Sequence, residues 1–270
     1  MTLKTGHVVI PASANDKPLM LGIDTGGYGS SLTKAGIDRL GLPYVAKLGA
    51  IIHAIGGAWV SEGNVRVDHL RLGELELKSM LLPEMVAFPG IDGLVGPDIL
   101  NRYDVELDFG GEIFSLFKPH PCSGHAVTWS AAYAVIPFTL TDNGHVRVPV
   151  MLDGRKTEAI LDTGAGISVM SLRDANGMFD LTAASPGVEV EKPVSGTLWR
   201  NRINAYAFTF GKLTMGGVTV SAPRIELLEG RNFLGKDFAT LVLGNDVLSH
   251  FHLYIAYRQH KLYVTEAAAH

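Results

Sequence analysis

Leu21-Gly22-Ile23-Asp24-Thr25-Gly26 returns 138 positions later as Ala159-Ile160-Leu161-Asp162-Thr163-Gly164. In both stretches, apolar residues lead into Asp-Thr-Gly. The tripeptide alone is short, and short motifs carry a high risk of false positives. Two copies in register, however, indicate a duplicated structural unit. A duplicated turn after a strand would preserve the same pattern without any chemistry, and this interpretation stays open here.

Two further pairs of segments extend the duplication over most of the chain. Leu70-Arg71-Leu72-Gly73-Glu74-Leu75 matches Phe208-Thr209-Phe210-Gly211-Lys212-Leu213 at the same offset. Leu94-Val95-Gly96-Pro97-Asp98-Ile99-Leu100 matches Val242-Leu243-Gly244-Asn245-Asp246-Val247-Leu248 at a larger offset. The second copy therefore contains an insertion near residues 228–238.

The duplication predicts two similar lobes. Residues 1–118 form the N-terminal lobe and residues 132–270 the C-terminal lobe, each of ordinary domain size. Residues 119–131 join them and begin with prolines, a glycine and polar side chains, which are typical of a linker. Each lobe would supply one of the two Asp-Thr-Gly motifs, so the lobes would have to act together.

Strand patterns dominate both lobes. Apolar and polar residues alternate with a period of two over Val65–Leu77 and Arg102–Phe117, as in strands with one buried face. Helix is predicted only in short pieces such as Pro97–Arg102, where Pro97 suits a first helical turn, and Asn245–His250. We therefore expect an all-β protein with short helices.

The composition excludes several classes of protein. The 270 residues include 31 Gly, 13 Pro, one cysteine (Cys122, in the linker), 23 basic and 27 acidic residues. A net charge of −4 does not favour nucleic acid binding, and one cysteine cannot form an internal disulfide. No apolar run reaches the roughly 18 residues of a membrane-spanning helix. The first residues lack the apolar region of a signal peptide. The sequence leaves the compartment open. If an export signal has been removed, the protein would lie in the periplasm or outside the cell.

The two aspartates suggest a specific chemistry. A pseudo-twofold axis between the copies would bring Asp24 and Asp162 together. Two adjacent carboxylates do not both ionise easily, so the pKa of one rises and the pair shares a proton. One carboxylate can then take a proton from water while the other donates to a carbonyl oxygen. Such a pair hydrolyses an amide bond without a metal, and we expect no cofactor.

The chain resembles the pepsin and retropepsin group of aspartic proteases, in the form of a bacterial single chain with two fused retropepsin-like repeats. The resemblance rests on the two Asp-Thr-Gly motifs and on Leu94-Val95-Gly96 and Val242-Leu243-Gly244. In the family, the later motif threads a psi-shaped loop behind the catalytic turn. The resemblance implies a bilobal acid-protease fold and an aspartic endopeptidase. The enzyme would be active as a monomer and would take a polypeptide substrate.

The resemblance also implies a role for each residue of the two motifs. Asp24 and Asp162 would be the catalytic pair. Threonines would cross-bond beneath this pair, and glycines would present backbone N–H groups to the carboxylates. These supporting residues are Thr25, Thr163, Gly26 and Gly164.

A flap over the cleft is a further implication. The segment His53-Ala54-Ile55-Gly56-Gly57-Ala58-Trp59 resembles the Ile-Gly-Gly flap of retroviral proteases. Paired glycines make a mobile tip that can approach a peptide closely. The alternative is an ordinary hairpin turn. In the second half the equivalent position falls in Lys192–Trp199, a poor match to a flap. The candidate substrate-binding residues are His53, Ile55, Gly56, Gly57, Trp59, Ser195 and Gly196.

One departure from the pepsins concerns pH. Gly27 and Ala165 follow the two motifs where pepsins usually carry Ser or Thr, whose hydroxyl bonds the outer carboxylate oxygen. Losing a donor to the ionised form raises the carboxyl pKa. We therefore expect a mildly acidic optimum.

Other functions compete with the protease. A non-catalytic module could keep the fold and bind peptide in the cleft without cutting it. Paired carboxylates could also serve a glycoside hydrolase, although the Thr-Gly context would then be coincidence. Three weaker patterns favour no site, because each lacks its partner residues. They are the P-loop-like Gly230–Asp237, the Ser-x-x-Lys of Ser31–Lys34, and His250 with His252.

Overall fold

The computed structural model describes residues 1–4, 6–46, 50–54, 57–85, 90–119, 127–194, 203–229 and 240–268. The protein has an all-β, bilobal fold with a few short helices, as the sequence predicts. None of the helices in these ranges is long and apolar enough to cross a membrane.

The N-terminal half carries short strands that surround the first Asp-Thr-Gly motif. Its elements are β1 (Thr2–Lys4), β2 (His7–Ala14), β3 (Lys17–Ile23), β4 (Ser31–Thr33), α1 (Lys34–Leu40), β5 (Tyr44–Ala46), β6 (Ala50–Ala54), β7 (Gly57–Ser61), β8 (Asn64–Leu72), β9 (Leu75–Met85), β10 (Gly93–Val95), α2 (Pro97–Leu100), β11 (Asp104–Asp108) and β12 (Ile113–Phe117).

The C-terminal half repeats much of this order around the second motif. Its elements are β13 (Ala134–Pro137), β14 (Thr139–Leu140), β15 (Val146–Leu152), β16 (Arg155–Leu161), β17 (Val169–Ser171), α3 (Leu172–Phe179), β18 (Glu189–Val194), β19 (Ile203–Thr209), β20 (Lys212–Met215), β21 (Val218–Ser221), β22 (Arg224–Leu228), β23 (Leu241–Leu243), α4 (Asn245–Leu248), β24 (Phe251–Ala256), a 3-10 turn (Tyr257–Gln259) and β25 (Lys261–Glu266).

Each half places its motif at the end of a buried strand by the same pairing. In the first half β10 runs parallel to β3 and antiparallel to β4. In the second half β23 runs parallel to β16 and antiparallel to β17. Residues Ala159–Leu161 at the end of β16 have at most 1% of their surface exposed. The aspartate that follows each strand is thus held at the edge of a packed core.

The halves meet in a sheet to which both contribute. Its strand order is β12-β11-β24-β25-β13. Val105 of β11 lies opposite Ile255 of β24, and Leu107 lies opposite Leu253. The sequence repeat equates β11 with β24, so each strand pairs with its own equivalent, as a twofold axis between them requires. One apolar cluster runs through this sheet and both halves.

The two short predicted helices are present but shorter, as α2 and α4. Helices α1 and α3 were not predicted from the periodicity of the sequence. Both have a hydroxyl that accepts a hydrogen bond at the helix N-terminus, from Gly36 N to Thr33 (3.0 Å) and from Asp174 N to Ser171 (2.9 Å). Such caps are the start signal of a helix. The alternating stretches Val65–Leu77 and Arg102–Phe117 each contain a chain reversal between two antiparallel strands.

Candidate active site

The two Asp-Thr-Gly turns lie face to face between the halves. β3 ends at Ile23 and β16 ends at Leu161, immediately before the aspartates. The backbone N–H of Asp24 donates to Val95 O at 3.0 Å, and that of Asp162 donates to Leu243 O, also at 3.0 Å. The later Val95-Gly96 and Leu243-Gly244 segments therefore fix where each aspartate leaves its strand.

The threonines cross-link the two turns. Thr25 Oγ1 donates to Leu161 O at 2.7 Å and accepts from Thr163 N at 3.1 Å. Thr163 Oγ1 donates to Ile23 O at 2.6 Å and accepts from Thr25 N at 3.1 Å. Both side chains are buried. Each half thus satisfies backbone groups of the other, which aligns the turns with little freedom to shift.

This cross-link predicts a large loss of stability when one hydroxyl is removed. Thr25→Val keeps the side-chain shape but leaves Leu161 O and Thr163 N without their partner. An unsatisfied buried polar group costs about 1–3 kcal/mol, so we expect a loss of about 2–4 kcal/mol in the free energy of unfolding. Thr25→Ser keeps the hydroxyl and is the matched control. Urea unfolding of both variants tests this, and a Val variant as stable as the Ser variant would contradict it.

The carboxyl groups of Asp24 and Asp162 lie close together, each against the motif glycine of the opposite half. A Cβ added at Gly26 would lie 2.3 Å from Asp162 Cγ, and one added at Gly164 would lie 2.4 Å from Asp24 Cγ. The two aspartates have only 9% and 6% of their surface exposed. Gly26 N donates to Asp24 Oδ1 at 3.1 Å, and Gly164 N donates to Asp162 Oδ1 at 2.9 Å. Asp162 Oδ1 also accepts from Ala165 N at 3.1 Å. Backbone N–H groups of each turn therefore hold the carboxyl group of that turn in place.

Burial raises the pKa of both carboxyl groups. The pKa of Asp24 is raised well above its ordinary value, first by desolvation, then by the negative charge of Asp162 and by the hydrogen bond between the two. Desolvation also raises the pKa of Asp162, against hydrogen bonds from Gly164, Asp24 and Ala165 that favour its ionised form. The pair therefore ionises in two steps and holds a single proton between them.

Comparison with known families agrees with this geometry. The family model described as aspartyl protease matches residues 10–99 and 148–247, once in each half. The chain belongs to the aspartyl protease family. Among solved structures, it is similar to a retropepsin-like aspartic protease from Rickettsia conorii, with 18% identity and a TM-score of 0.38. That match covers 53% of this chain and 99% of the other. No curated protein matches the chain.

In each half of this aspartyl protease family member, a serine and an aspartate hold the glycine segment next to the Asp-Thr-Gly turn, a feature that was not predicted from the sequence. Ser30 Oγ donates to Asp98 Oδ1 at 2.7 Å and accepts from Gly96 N at 3.0 Å. Ser168 Oγ does the same with Asp246 Oδ1 (2.7 Å) and Gly244 N (3.0 Å). Both pairs occupy equivalent positions of the repeat, which was the signal available for finding them.

The predicted flap residues are only partly described. His53, Gly57 and Trp59 belong to the antiparallel hairpin of β6 and β7, in which Ala54 lies opposite Gly57. Ile55 and Gly56 lie outside the described residues. Ser195 and Gly196, which lie between β18 and β19 in the sequence, are also outside the described residues. Cys122 of the linker also lies outside the described residues.

His252, one of the two histidines of the weak His-x-His pattern, lies in the sheet to which both halves contribute. His252 lies within β24, where its ring stacks on Trp129 with centroids 3.8 Å apart. Its Nε2 lies 3.1 Å from Glu106 Oε1 of β11. The histidine thus links strands from both halves.

Proposed function

We propose that this protein is an aspartic endopeptidase that hydrolyses peptide bonds with Asp24 and Asp162. The observation that carries the proposal is the close approach of two buried carboxyl groups, one from each repeat, each of which lies against the motif glycine of the opposite half. A purely structural turn does not need a pair of buried acids, since burial of an ionisable group is unfavourable. Paired carboxylates with raised pKa values are instead typical of catalytic sites.

The pair would act as general base and general acid in turn. The ionised carboxylate takes a proton from a water molecule, whose oxygen attacks the peptide carbonyl carbon. The protonated carboxyl group donates its proton to the carbonyl oxygen, which gives a neutral gem-diol. The C–N bond then breaks, the nitrogen takes a proton from one carboxyl group, and the diol returns a proton to the pair. The pair ends with the single proton it began with.

The substrate would bind as an extended polypeptide in the cleft between the lobes. The β6–β7 hairpin would cover it as a flap, through His53, Ile55, Gly56, Gly57 and Trp59. Ser195 and Gly196 would face the cleft from the other half. The N-terminal lobe over 1–118 and the C-terminal lobe over 132–270 each contribute one aspartate, so a monomer would contain a complete site.

The titration of the pair predicts a bell-shaped pH dependence of kcat with a mildly acidic maximum. Below the lower of the two apparent pKa values of the pair both groups are protonated, and no base remains to activate water. Above the higher of the two both are ionised, and no acid remains. We expect the maximum at about pH 4–6, because a general acid–base pair works between its two pKa values. A pH–rate profile with a maximum near pH 2 would contradict this.

Digestion of an unfolded protein such as reduced casein tests the activity itself. Assays at pH 4, 5 and 6 without an inhibitor should show cleavage by the wild type. Parallel assays with pepstatin test whether this inhibitor reduces the cleavage. Mass spectrometry of the products identifies the bonds cut. Binding of peptide without any cleavage over this pH range would overturn the endopeptidase and favour a peptide-binding module.

A further inference from the structure

A Gly-His pair recurs at the offset of the catalytic motifs and is not part of them. Gly6-His7-Val8 matches Gly144-His145-Val146, each at or just before a long strand, β2 or β15. Both glycines have φ = +82°, in the left-handed region that favours glycine. The two histidines therefore enter their strands through the same backbone turn.

His145 contacts the Asp-Thr-Gly turn of the N-terminal half. Its Nε2 lies 3.0 Å from Gly27 O, immediately after the first Asp-Thr-Gly motif. A carbonyl oxygen only accepts hydrogen bonds, so Nε2 carries the proton and donates it. The residue is fully buried, and its ring meets Tyr28 edge-on at 5.9 Å between centroids.

His7 lies against the Asp-Thr-Gly turn of the C-terminal half, at a partner one position away from the equivalent of Gly27. Burial lowers the pKa of His7, against a hydrogen bond with the backbone of Gly164 in the second motif that raises it. The neighbouring Gly6 packs so closely that a Cβ there would lie 3.0 Å from Gly166 Cα. Asn245 Nδ2 donates both to Gly6 O at 2.7 Å and to Thr163 O at 2.8 Å, and so ties this segment to the turn.

We propose that His7 and His145 are positioning residues, each of which holds the Asp-Thr-Gly turn of the opposite half in register for catalysis. This role rests on the proposed endopeptidase function. The two histidines are equivalent positions of the repeat, and their partners Gly27 and Gly164 lie at or next to the end of the two Asp-Thr-Gly motifs, so the contacts act on the pair of turns from both halves. The role is one of position, and neither histidine is expected to exchange protons with substrate.

Matched substitutions separate the hydrogen bond from the space that each ring fills. Gln retains a side-chain N–H donor, whereas Met fills a similar volume without one. We expect His145→Met and His7→Met to lower kcat about 10–100-fold, because small misplacements of reacting groups have effects of this size. KM should change little, since substrate binding is not altered. His145→Gln and His7→Gln should remain within about threefold of wild type, because the hydrogen bond is retained.

The kinetics are measured well below the unfolding midpoint of each variant, with His69→Ala on the outer β8–β9 hairpin as the control. Equal kcat values for the Gln and Met variants, or a loss confined to KM, would overturn the inference. If the buried His145 variants do not fold, the half-buried His7 pair decides the question. A wild type that cleaves nothing would overturn the endopeptidase and this role with it. An active wild type whose Met variants are fully active would overturn the role alone.

Discussion

Asp24→Asn should lower kcat for peptide hydrolysis by about 10⁴-fold, the upper range for removal of a general acid–base group. Asn cannot exchange the proton that the pair shares. The amide also leaves Asp162 as a single carboxylate, which cannot both activate water and protonate the carbonyl oxygen. Asp162→Asn should have a similar effect, because the two halves contribute equivalent groups.

Asp38→Asn is the matched control, since Asp38 is an exposed acid of α1 whose partner is Lys34. It should be as active as the wild type. Full activity in Asp24→Asn would show that the dyad assignment is wrong. The product assay must exclude deamidation back to Asp, which mass spectrometry of the variant detects.

The same variant should be more stable than the wild type at neutral pH. The folded-state pKa of Asp24 is raised above its unfolded value. Its contribution to stability is therefore fully present below the unfolded pKa and is lost as the pH rises through the folded pKa. Asn removes this loss, and relief of one such site is commonly worth about 0.5–2 kcal/mol. Urea unfolding should show the gain at pH 7 and little difference at pH 3.

The sequence alone predicted the fold and the centre of the site, because duplication leaves a pattern that can be compared along the chain. The two Asp-Thr-Gly motifs and the later Gly96 and Gly244 segments carried that prediction. The comparison of the two halves also aligns Ser30 with Ser168 and Asp98 with Asp246, the residues of the two serine–aspartate pairs. Their pairing was not predicted, because it depends on how the later strand threads past the turn.

The crossed histidine contacts show a second limit. His7 and His145 occupy equivalent positions in the sequence, but the pattern says nothing about which half each ring will face. That choice depends on the twofold axis and on the direction in which β2 and β15 leave their glycine turns. Helix α1 escaped prediction for a local reason. Its apolar residues are few, and its start is encoded mainly by the capping hydroxyl of Thr33.

Gly26→Ala should lower kcat about 100-fold, by moving the opposite carboxyl group. An added Cβ would lie 2.3 Å from Asp162 Cγ and 2.6 Å from both of its carboxylate oxygens. Relief of that overlap requires a displacement of about 1 Å, which is enough for a loss of this size. Overpacking of the buried contact should also lower the free energy of unfolding by about 1–3 kcal/mol.

Gly177→Ala is the control, because a Cβ at that position in α3 meets nothing within 4 Å. It should keep full activity and gain about 0.5–1 kcal/mol, the usual preference for Ala over Gly inside a helix. Gly164→Ala should reproduce the loss from the other side, since its Cβ would lie 2.4 Å from Asp24 Cγ. A Gly26→Ala variant with wild-type kcat would mean that the carboxyl groups need not stay close together to work. The close approach of each glycine to the opposite aspartate would then be a packing feature, with no part in the chemistry.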